Sequence, residues 1–210
     1  PLAGGLGIGH TRWATHGEPS EINSHPHLDC AGRIAVVHNG IIENYQALRA
    51  ELEAKGHVFR SQTDTEVLPH LIGEVLKQGG CSPVEAIRAA LRQAKGAYAL
   101  GIVFRDEPGV LYAARCGSPL IVGVGAGEQF IASDVPAILN RVKQVIYLND
   151  GEVAELRPES VAVSKLDGTP VAPEIKSVTL RAEAAERAGF ETFMLKEIHE
   201  QPRVLRALLD

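Results

Sequence analysis

At Gly96 the chain changes its hydrophobic period, and no other feature restricts the possible folds as much. Residues 97–104, 110–114, 120–124, 129–132, 144–148, 152–156 and 161–166 are short runs rich in β-formers. Turn signals such as Asp106-Glu107-Pro108-Gly109 separate them, as expected of successive strands. Asn149-Asp150-Gly151 predicts a hairpin between the runs on either side of it. Before Gly96 the period is mostly helical. Strands, then helices, then more strands imply an α+β fold built in layers, with mainly antiparallel sheets.

In the first part of the chain, residues 6–9 form an apolar stretch that reads as a short strand. Residues 11–31 are polar, rich in Pro, Gly and His, and aperiodic, so they read as a long functional loop. Residues 33–37 read as a buried strand. Helices are predicted over 43–55 and 65–78, the second with Val67, Leu68, Leu71, Ile72, Val75 and Leu76 on one face. Ser82-Pro83-Val84-Glu85 combines an N-cap serine, a first-turn proline and a glutamate at the third helical position, so it opens a third helix to about Ala94. Beyond Val178 the pattern is polar and helical, notably over 181–187 and 194–209. Residues 181–210 read as a linker after a domain over 1–180.

Composition narrows the function classes. The 210 residues carry a formal net charge of −5 with no basic block, so no nucleic-acid footprint is expected. No apolar run approaches the ~20 residues of a membrane-spanning helix. The opening Pro1-Leu2-Ala3-Gly4-Gly5 has no signal-peptide character. Cys30, Cys81 and Cys116 are odd in number and widely spaced, which suits reduced thiols in a cytoplasmic protein.

Two blocks carry chemistry: His10-Thr-Arg-Trp-Ala-Thr-His-Gly17 and His38-Asn39-Gly40. The Arg12 guanidinium can clamp a planar carboxylate with two parallel hydrogen bonds, although a lone arginine equally suits a surface ion pair. The Asn39 amide and the Gly40 N–H can both aim at a developing oxyanion, whereas the same dipeptide is also a common turn. Asp64 reads either as a helix-start carboxylate or as the partner of a substrate ammonium group. His10, His16, His25, His27 and His38 crowd one third of the chain. They have no established zinc spacing, so loop-ordering hydrogen bonds are expected and no metal site. No cofactor is expected, because the Gly-x-Gly repeats at 5–9 and 123–127 lack the dinucleotide spacing.

Together these motifs resemble the glutaminase domain of the glutamine–fructose-6-phosphate aminotransferase (isomerizing) family. The matching segments include residues 10–20, Asn23-x-His25-Pro26-His27, Val37–Asn44, Thr63-Asp-Thr-Glu66, Gly96-Ala97-Tyr98, Gly117-Ser-Pro-Leu120 and Ile131-Ala-Ser-Asp134. Lys196-Glu-Ile-x-Glu-Gln-Pro202 resembles the family's lead into a sugar-isomerase half. The resemblance implies a four-layer αββα N-terminal-nucleophile hydrolase sandwich, here incomplete at its N-terminus. The family's terminal cysteine attacks the glutamine side-chain amide, with its own α-amine as base.

Carried over residue by residue, Arg12 holds the glutamine α-carboxylate and Asp64 pairs with its α-amino group. Thr15 and His16 lie in the substrate loop, and Trp13 belongs to its moving lid. Asn39 and Gly40 form the oxyanion hole. The implied partners are L-glutamine and the sugar-isomerase domain of the same parent chain, which is expected to be a homodimer. No sequence counterpart of the terminal cysteine is present, so the 210 residues alone are expected to be inactive. Two alternatives stay open: another class II amidotransferase such as amidophosphoribosyltransferase, and a non-catalytic glutamine-binding module.

Overall fold

The computed structural model describes residues 4–178 and 189–209. The expected helix over 181–187 lies outside the described residues. Two antiparallel sheets form the centre. The larger has seven strands in the order β1 (His27–Leu28), β2 (Ile34–Ile42), β3 (Gly96–Phe104), β4 (Leu111–Cys116), β8 (Glu152–Arg157), β9 (Ser160–Lys165) and β10 (Pro170–Val171). The smaller has the order β11 (Ile175–Ser177), β7 (Gln144–Tyr147), β5 (Ile121–Val124) and β6 (Gln129–Ala132).

The two-residue alternation of β3 shows how the layers arise. Tyr98, Leu100, Ile102 and Phe104 point to one face, where they pack with α1 (Tyr45–Ala54), α2 (Val67–Lys77) and α3 (Pro83–Leu91). Ala99 points to the other face and joins Ala113, Ala154, Val122, Ile146 and Leu148 between the sheets. Small side chains on the seven-stranded side leave room for the branched ones of the four-stranded side. The outer face of the smaller sheet buries Ile121 and Val145 beneath Val135, Ile138, Leu139 and Val142. The layers are therefore α, β and β, with the fourth reduced among the described residues to the 3₁₀ turn Val135–Ala137 and the segment after it.

The capping box at Ser82 forms, with Glu85 accepting from both the Ser82 amide and its hydroxyl at 2.7 Å. The third helix ends at Leu91, short of Ala94. The last helix, α4 (Phe193–Leu209), matches the helical pattern expected there. No helix among the described residues is long and apolar enough to cross a membrane.

Three local expectations are corrected. Residues 6–9 join no sheet; Ile8 instead lies against the apolar layer between the sheets. Asn149-Asp150-Gly151 does not close a hairpin, because β7 pairs with β5 and β11 while β8 pairs with β4 and β9. Val145 and Ile146 are buried on opposite faces, which holds β7 inside the second sheet. The turn is instead a crossing pinned to β4: Asp150 accepts the Gly117 N–H at 2.7 Å and pairs with Arg115 at 3.1 Å. Finally, β2 does not stop before Asn39-Gly40. It runs on to Ile42, with Asn39 opposite Ala99 and Gly40 opposite Tyr98.

Candidate functional site

A cavity of about 260 Å³ opens where the 10–16 loop crosses the second half of β2. Arg12, Trp13, Thr15, His16, Asn39, Gly40 and Asp64, the seven residues singled out from sequence, all line it. His10, His25, His38, Ile41, Thr63 and Thr65 complete the wall. None of Cys30, Cys81 and Cys116 is among the lining residues.

The loop is held by its own arginine. Arg12 sits at φ +46°, unusual for a residue with a side chain. Its Nη1 donates to Glu18 O at 3.1 Å, and its Nη2 donates to His16 O at 2.7 Å and Gly17 O at 2.9 Å. Its amide donates to His10 Nδ1 at 2.9 Å. Both two-pronged faces of a guanidinium include Nη2, so a bidentate carboxylate contact requires one of these carbonyls to give way. Trp13 projects from the loop 90% exposed, whereas His16 packs edge-on against Tyr45. Asn23, fully buried, ties the loop down: it donates to Glu18 O and Gln62 Oε1 and accepts the Gln62 N–H.

On the opposite wall β2 must turn its backbone sharply. Gly40 has φ +140°, and a Cβ there would meet Ala97 O at 2.1 Å. Only glycine fits this point in the β2–β3 ladder. The Asn39 side-chain amide has no hydrogen-bond partner among the described residues, so its donors remain available to a ligand.

Asp64 is not a helix cap, because α2 begins at Val67. Its carboxylate is 4% exposed and accepts the Ile42 N–H at 2.7 Å. Its other oxygen lies 3.8 Å from His16 Nδ1, a buried nitrogen that has no hydrogen-bond partner. A buried carboxylate with one oxygen only loosely engaged is a good acceptor for an ammonium group.

His10, His27 and His38 make the loop-ordering hydrogen bonds expected of them, whereas Nδ1 of His16 and of His25 is buried with no hydrogen-bond partner. His38 Nε2 faces Ala97 O at 3.4 Å, so it carries the proton, and Nδ1 accepts from the Thr65 hydroxyl at 2.9 Å. His27 Nε2 meets the Thr63 hydroxyl at 3.0 Å. Burial lowers the pKa of His10, His27 and His38. His25 is pushed down to about 3, first by burial and then by repulsion from His10, His27, His38 and Arg12. These rings are therefore neutral at neutral pH: His10, His27 and His38 serve as hydrogen-bonding groups, and His25 packs edge-on against His10 and His27. Sequence reasoning missed Thr63 and Thr65 as wall residues and read His38, although part of the His38-Asn39-Gly40 block, only as a loop-ordering histidine. Their signal was the clustering of His with hydroxyl residues in the Thr63-Asp64-Thr65 segment.

The chain belongs to the glutamine amidotransferase domain family, which matches residues 10–140 and so spans both blocks that build the pocket. It is 54% identical over 204 residues to the glutamine–fructose-6-phosphate aminotransferase (isomerizing) of Symbiobacterium thermophilum, covering 97% of this chain and 33% of that protein. Against the enzyme of the same name from Methanothermobacter thermautotrophicus it is 54% identical over 209 residues, 99% of this chain and 35% of that one. The chain thus spans about a third of the length of the curated relatives it matches. Among solved structures, the glutamine phosphoribosylpyrophosphate amidotransferase of B. subtilis aligns with TM-score 0.63 and 27% identity, over 75% of this chain and 34% of that one. The fold is that of the N-terminal-nucleophile amidotransferases.

Proposed function

We propose that this chain is the glutamine-binding, ammonia-releasing part of an enzyme that aminates fructose 6-phosphate to glucosamine 6-phosphate. The observation that carries it is the convergence of Arg12, Asp64, Asn39 and Gly40 on one small cavity. Arg12 and Asp64 supply a positive and a negative anchor for the α-carboxylate and α-ammonium of glutamine. Asn39 and Gly40 stand where the side-chain amide carbonyl becomes an oxyanion. Removing such a donor typically costs about 2.7–4 kcal/mol of transition-state stabilisation. Thr15 and His16 shape the pocket, and Trp13 covers it when glutamine is bound.

The chemistry is acyl transfer. A thiolate attacks the amide carbon, the C–N bond breaks and ammonia leaves; water then hydrolyses the thioester to glutamate. We infer that none of Cys30, Cys81 and Cys116 is the nucleophile, since none lines the cavity and none has a free α-amine. The attacking thiolate comes from an N-terminal cysteine, as the family resemblance implies. Ammonia passes to a sugar-isomerase domain beyond the glutaminase domain of residues 1–180, with residues 181–210 as the connection. In support, α4 leaves Met194, Ile198 and Leu205 exposed, apolar surface that a further domain would cover. The family's dimeric assembly and a cytoplasmic location belong to the same reading. Identity above 50% to the fructose-6-phosphate enzymes favours that acceptor over phosphoribosylpyrophosphate.

The test is glucosamine 6-phosphate formation from glutamine and fructose 6-phosphate by the full natural polypeptide. Asn39→Ala is expected to lower kcat by about 10²–10³-fold with little change in the glutamine KM. An unchanged kcat would remove Asn39 from the oxyanion hole. Amination of phosphoribosylpyrophosphate instead would overturn the acceptor while leaving the glutaminase reading intact.

A further inference from the structure

On the far side of the Ser61–Glu66 segment from the glutamine pocket, three ligand-type side chains converge. Cys30 follows β1, His57 follows α1, and His70 lies one turn into α2. Cys30 Sγ is 3.4 Å from His70 Nδ1 and 3.8 Å from His57 Nδ1, and the two Nδ1 atoms are 3.0 Å apart. It is the one such grouping among the described residues.

The far side of each ring decides what these atoms are. His57 Nε2 is 3.0 Å from Glu74 Oε2, and His70 Nε2 is 3.7 Å from Glu66 Oε1. Glu66 already accepts the amides of Arg60 and Ser61 and the Ser61 hydroxyl, so it is an acceptor towards His70 too. Lys77 Nζ approaches His57 Nε2 at 3.5 Å but also lies 3.6 Å from Glu74, where its charge is paired. Each Nε2 therefore carries its ring proton, and each Nδ1 presents a lone pair. Two lone pairs face each other beside a thiol that has at most one proton to give. The Val58 N–H points at Sγ from 3.4 Å, a donor that favours thiolate. One proton cannot satisfy three converging donor atoms, whereas a cation among them can.

The spacing fits a tetrahedral ion. Zinc bonds of about 2.0–2.1 Å to nitrogen and 2.3 Å to sulfur set the ligand atoms about 3.3–3.6 Å apart. The observed edges of 3.0, 3.4 and 3.8 Å bracket that range. We propose that Cys30, His57 and His70 bind a zinc-class divalent ion through one thiolate and two imidazole Nδ1 atoms. Soft sulfur with nitrogen selects zinc over magnesium or calcium. Glu66 and Glu74 hold the rings in the ligating tautomer, the usual carboxylate–histidine–metal arrangement. The fourth coordination position opens into an adjoining cleft of about 860 Å³ lined by Cys30, Arg60, Glu66 and His70, where water can occupy it. The ion clips the loop carrying His25 and His27 to α2, and so steadies one wall of the glutamine pocket. The metal site stands on its own geometry and does not depend on the glutaminase reading.

The test uses purified protein stripped with a chelator and titrated with Co²⁺. Expected are one equivalent bound, visible d–d bands and a near-ultraviolet thiolate-to-cobalt charge-transfer band, all displaced by Zn²⁺. Cys30→Ser is expected to abolish the charge-transfer band, and Cys81→Ser to retain it. Zn²⁺ should raise the Tm of the parent protein and not that of Cys30→Ser. Glu74→Gln, which leaves all three ligands in place, should weaken Co²⁺ binding by about 10–100-fold. The proposal is overturned if no band develops, if cobalt binds without the thiolate band, or if the band survives in Cys30→Ser. Should Cys30→Ser fail to fold, loss of cobalt binding in a folded His57→Gln variant supports the site equally, and retained binding there overturns it.

Discussion

Replacing Gly40 by alanine tests how the pocket is built, because the structure separates two costs that usually come together. At φ +140° a residue with a side chain is strained by about 1–3 kcal/mol. The added methyl would also sit 2.1 Å from Ala97 O and 2.8 Å from Ala97 C, both backbone atoms of the neighbouring strand. Backbone in the middle of a ladder yields poorly, and overpacking of this kind costs about another 1–3 kcal/mol. The sum is about 2–6 kcal/mol, a large part of the roughly 5–15 kcal/mol that holds a domain together. With a urea m-value of about 2–3 kcal/mol/M, the unfolding midpoint should fall by about 0.7–3 M. Gly151→Ala is the control. It also has positive φ, at +76°, but nothing lies within 4 Å of its added Cβ. It should lose only the left-handed penalty of about 1–2 kcal/mol, less the gain from a stiffer unfolded chain. If urea denaturation followed by circular dichroism gives the two variants equal midpoints, the close approach of β2 and β3 at Gly40 is not what fixes the residue.

Acid should destabilise the protein in two stages. Buried His25, with pKa lowered from 6.5 to about 3, stays neutral while the unfolded chain protonates, so stability falls as pH drops through that window. His10, His27 and His38 shift the same way. Burial opposes the charge of Glu66, yet bonds from His70, Ser61 and the Arg60 amide hold its pKa at about 2, adding a second loss as pH falls from 4.5 through 2. A urea midpoint flat between about pH 7 and 5 would refute the histidine part. Arg12→Lys should weaken glutamine binding by about tenfold or more, since an ammonium can neither span the carbonyls of residues 16–18 as the guanidinium does nor fork a carboxylate once one of them gives way. Unchanged glutamine affinity by calorimetry would take Arg12 out of the site. Ser82→Ala should cost about 1 kcal/mol by breaking the capping box, read as a lowered thermal midpoint; no change would mean that the box adds nothing to α3.

The α+β class, the helices and most strands were legible because their apolar periods differ so plainly on either side of Gly96. The residues facing the small cavity were legible because residue type and spacing carry them: Arg12 and His16 in one loop, Asn39-Gly40 in one strand. What the sequence hid was pairing. Asn149-Asp150-Gly151 has the chemistry of a hairpin, and only the burial of Val145 and Ile146 on two faces makes it a crossing between sheets. Cys30, His57 and His70 escaped notice because they lie 27 and 13 residues apart, two in separate connections and one in α2, with none of the short spacings of a zinc motif.

The segment from Ser61 to Glu66 shows why polar sequence misled most. By composition it is a solvated helix start, yet Ser61, Thr63, Asp64, Thr65 and Glu66 are each buried to 4% exposure or less. Burying five polar side chains in one short segment is unfavourable unless each finds a partner. Here each does: Ser61 with Glu66 at 2.6 Å, Thr63 with His27 at 3.0 Å, Thr65 with His38 at 2.9 Å, and Asp64 with the Ile42 amide at 2.7 Å. The partners outside the segment come from β1 and β2, so the network forms only once the sheet and the α2 start have met. Such a network fixes geometry more tightly than apolar packing, because an unsatisfied member costs more than a loose contact. It has two working faces. Asp64 looks into the cavity proposed to bind glutamine, while Glu66 orients His70 on the other side. A change at the Cys30–His57–His70 cluster can therefore reach the position of Asp64 through three residues of one rigid turn. Glutamine affinity measured with and without Zn²⁺ reads that coupling directly: a zinc-dependent affinity in the parent that vanishes in Cys30→Ser is the expected result, and equal affinities in all four states would show that the two faces act independently.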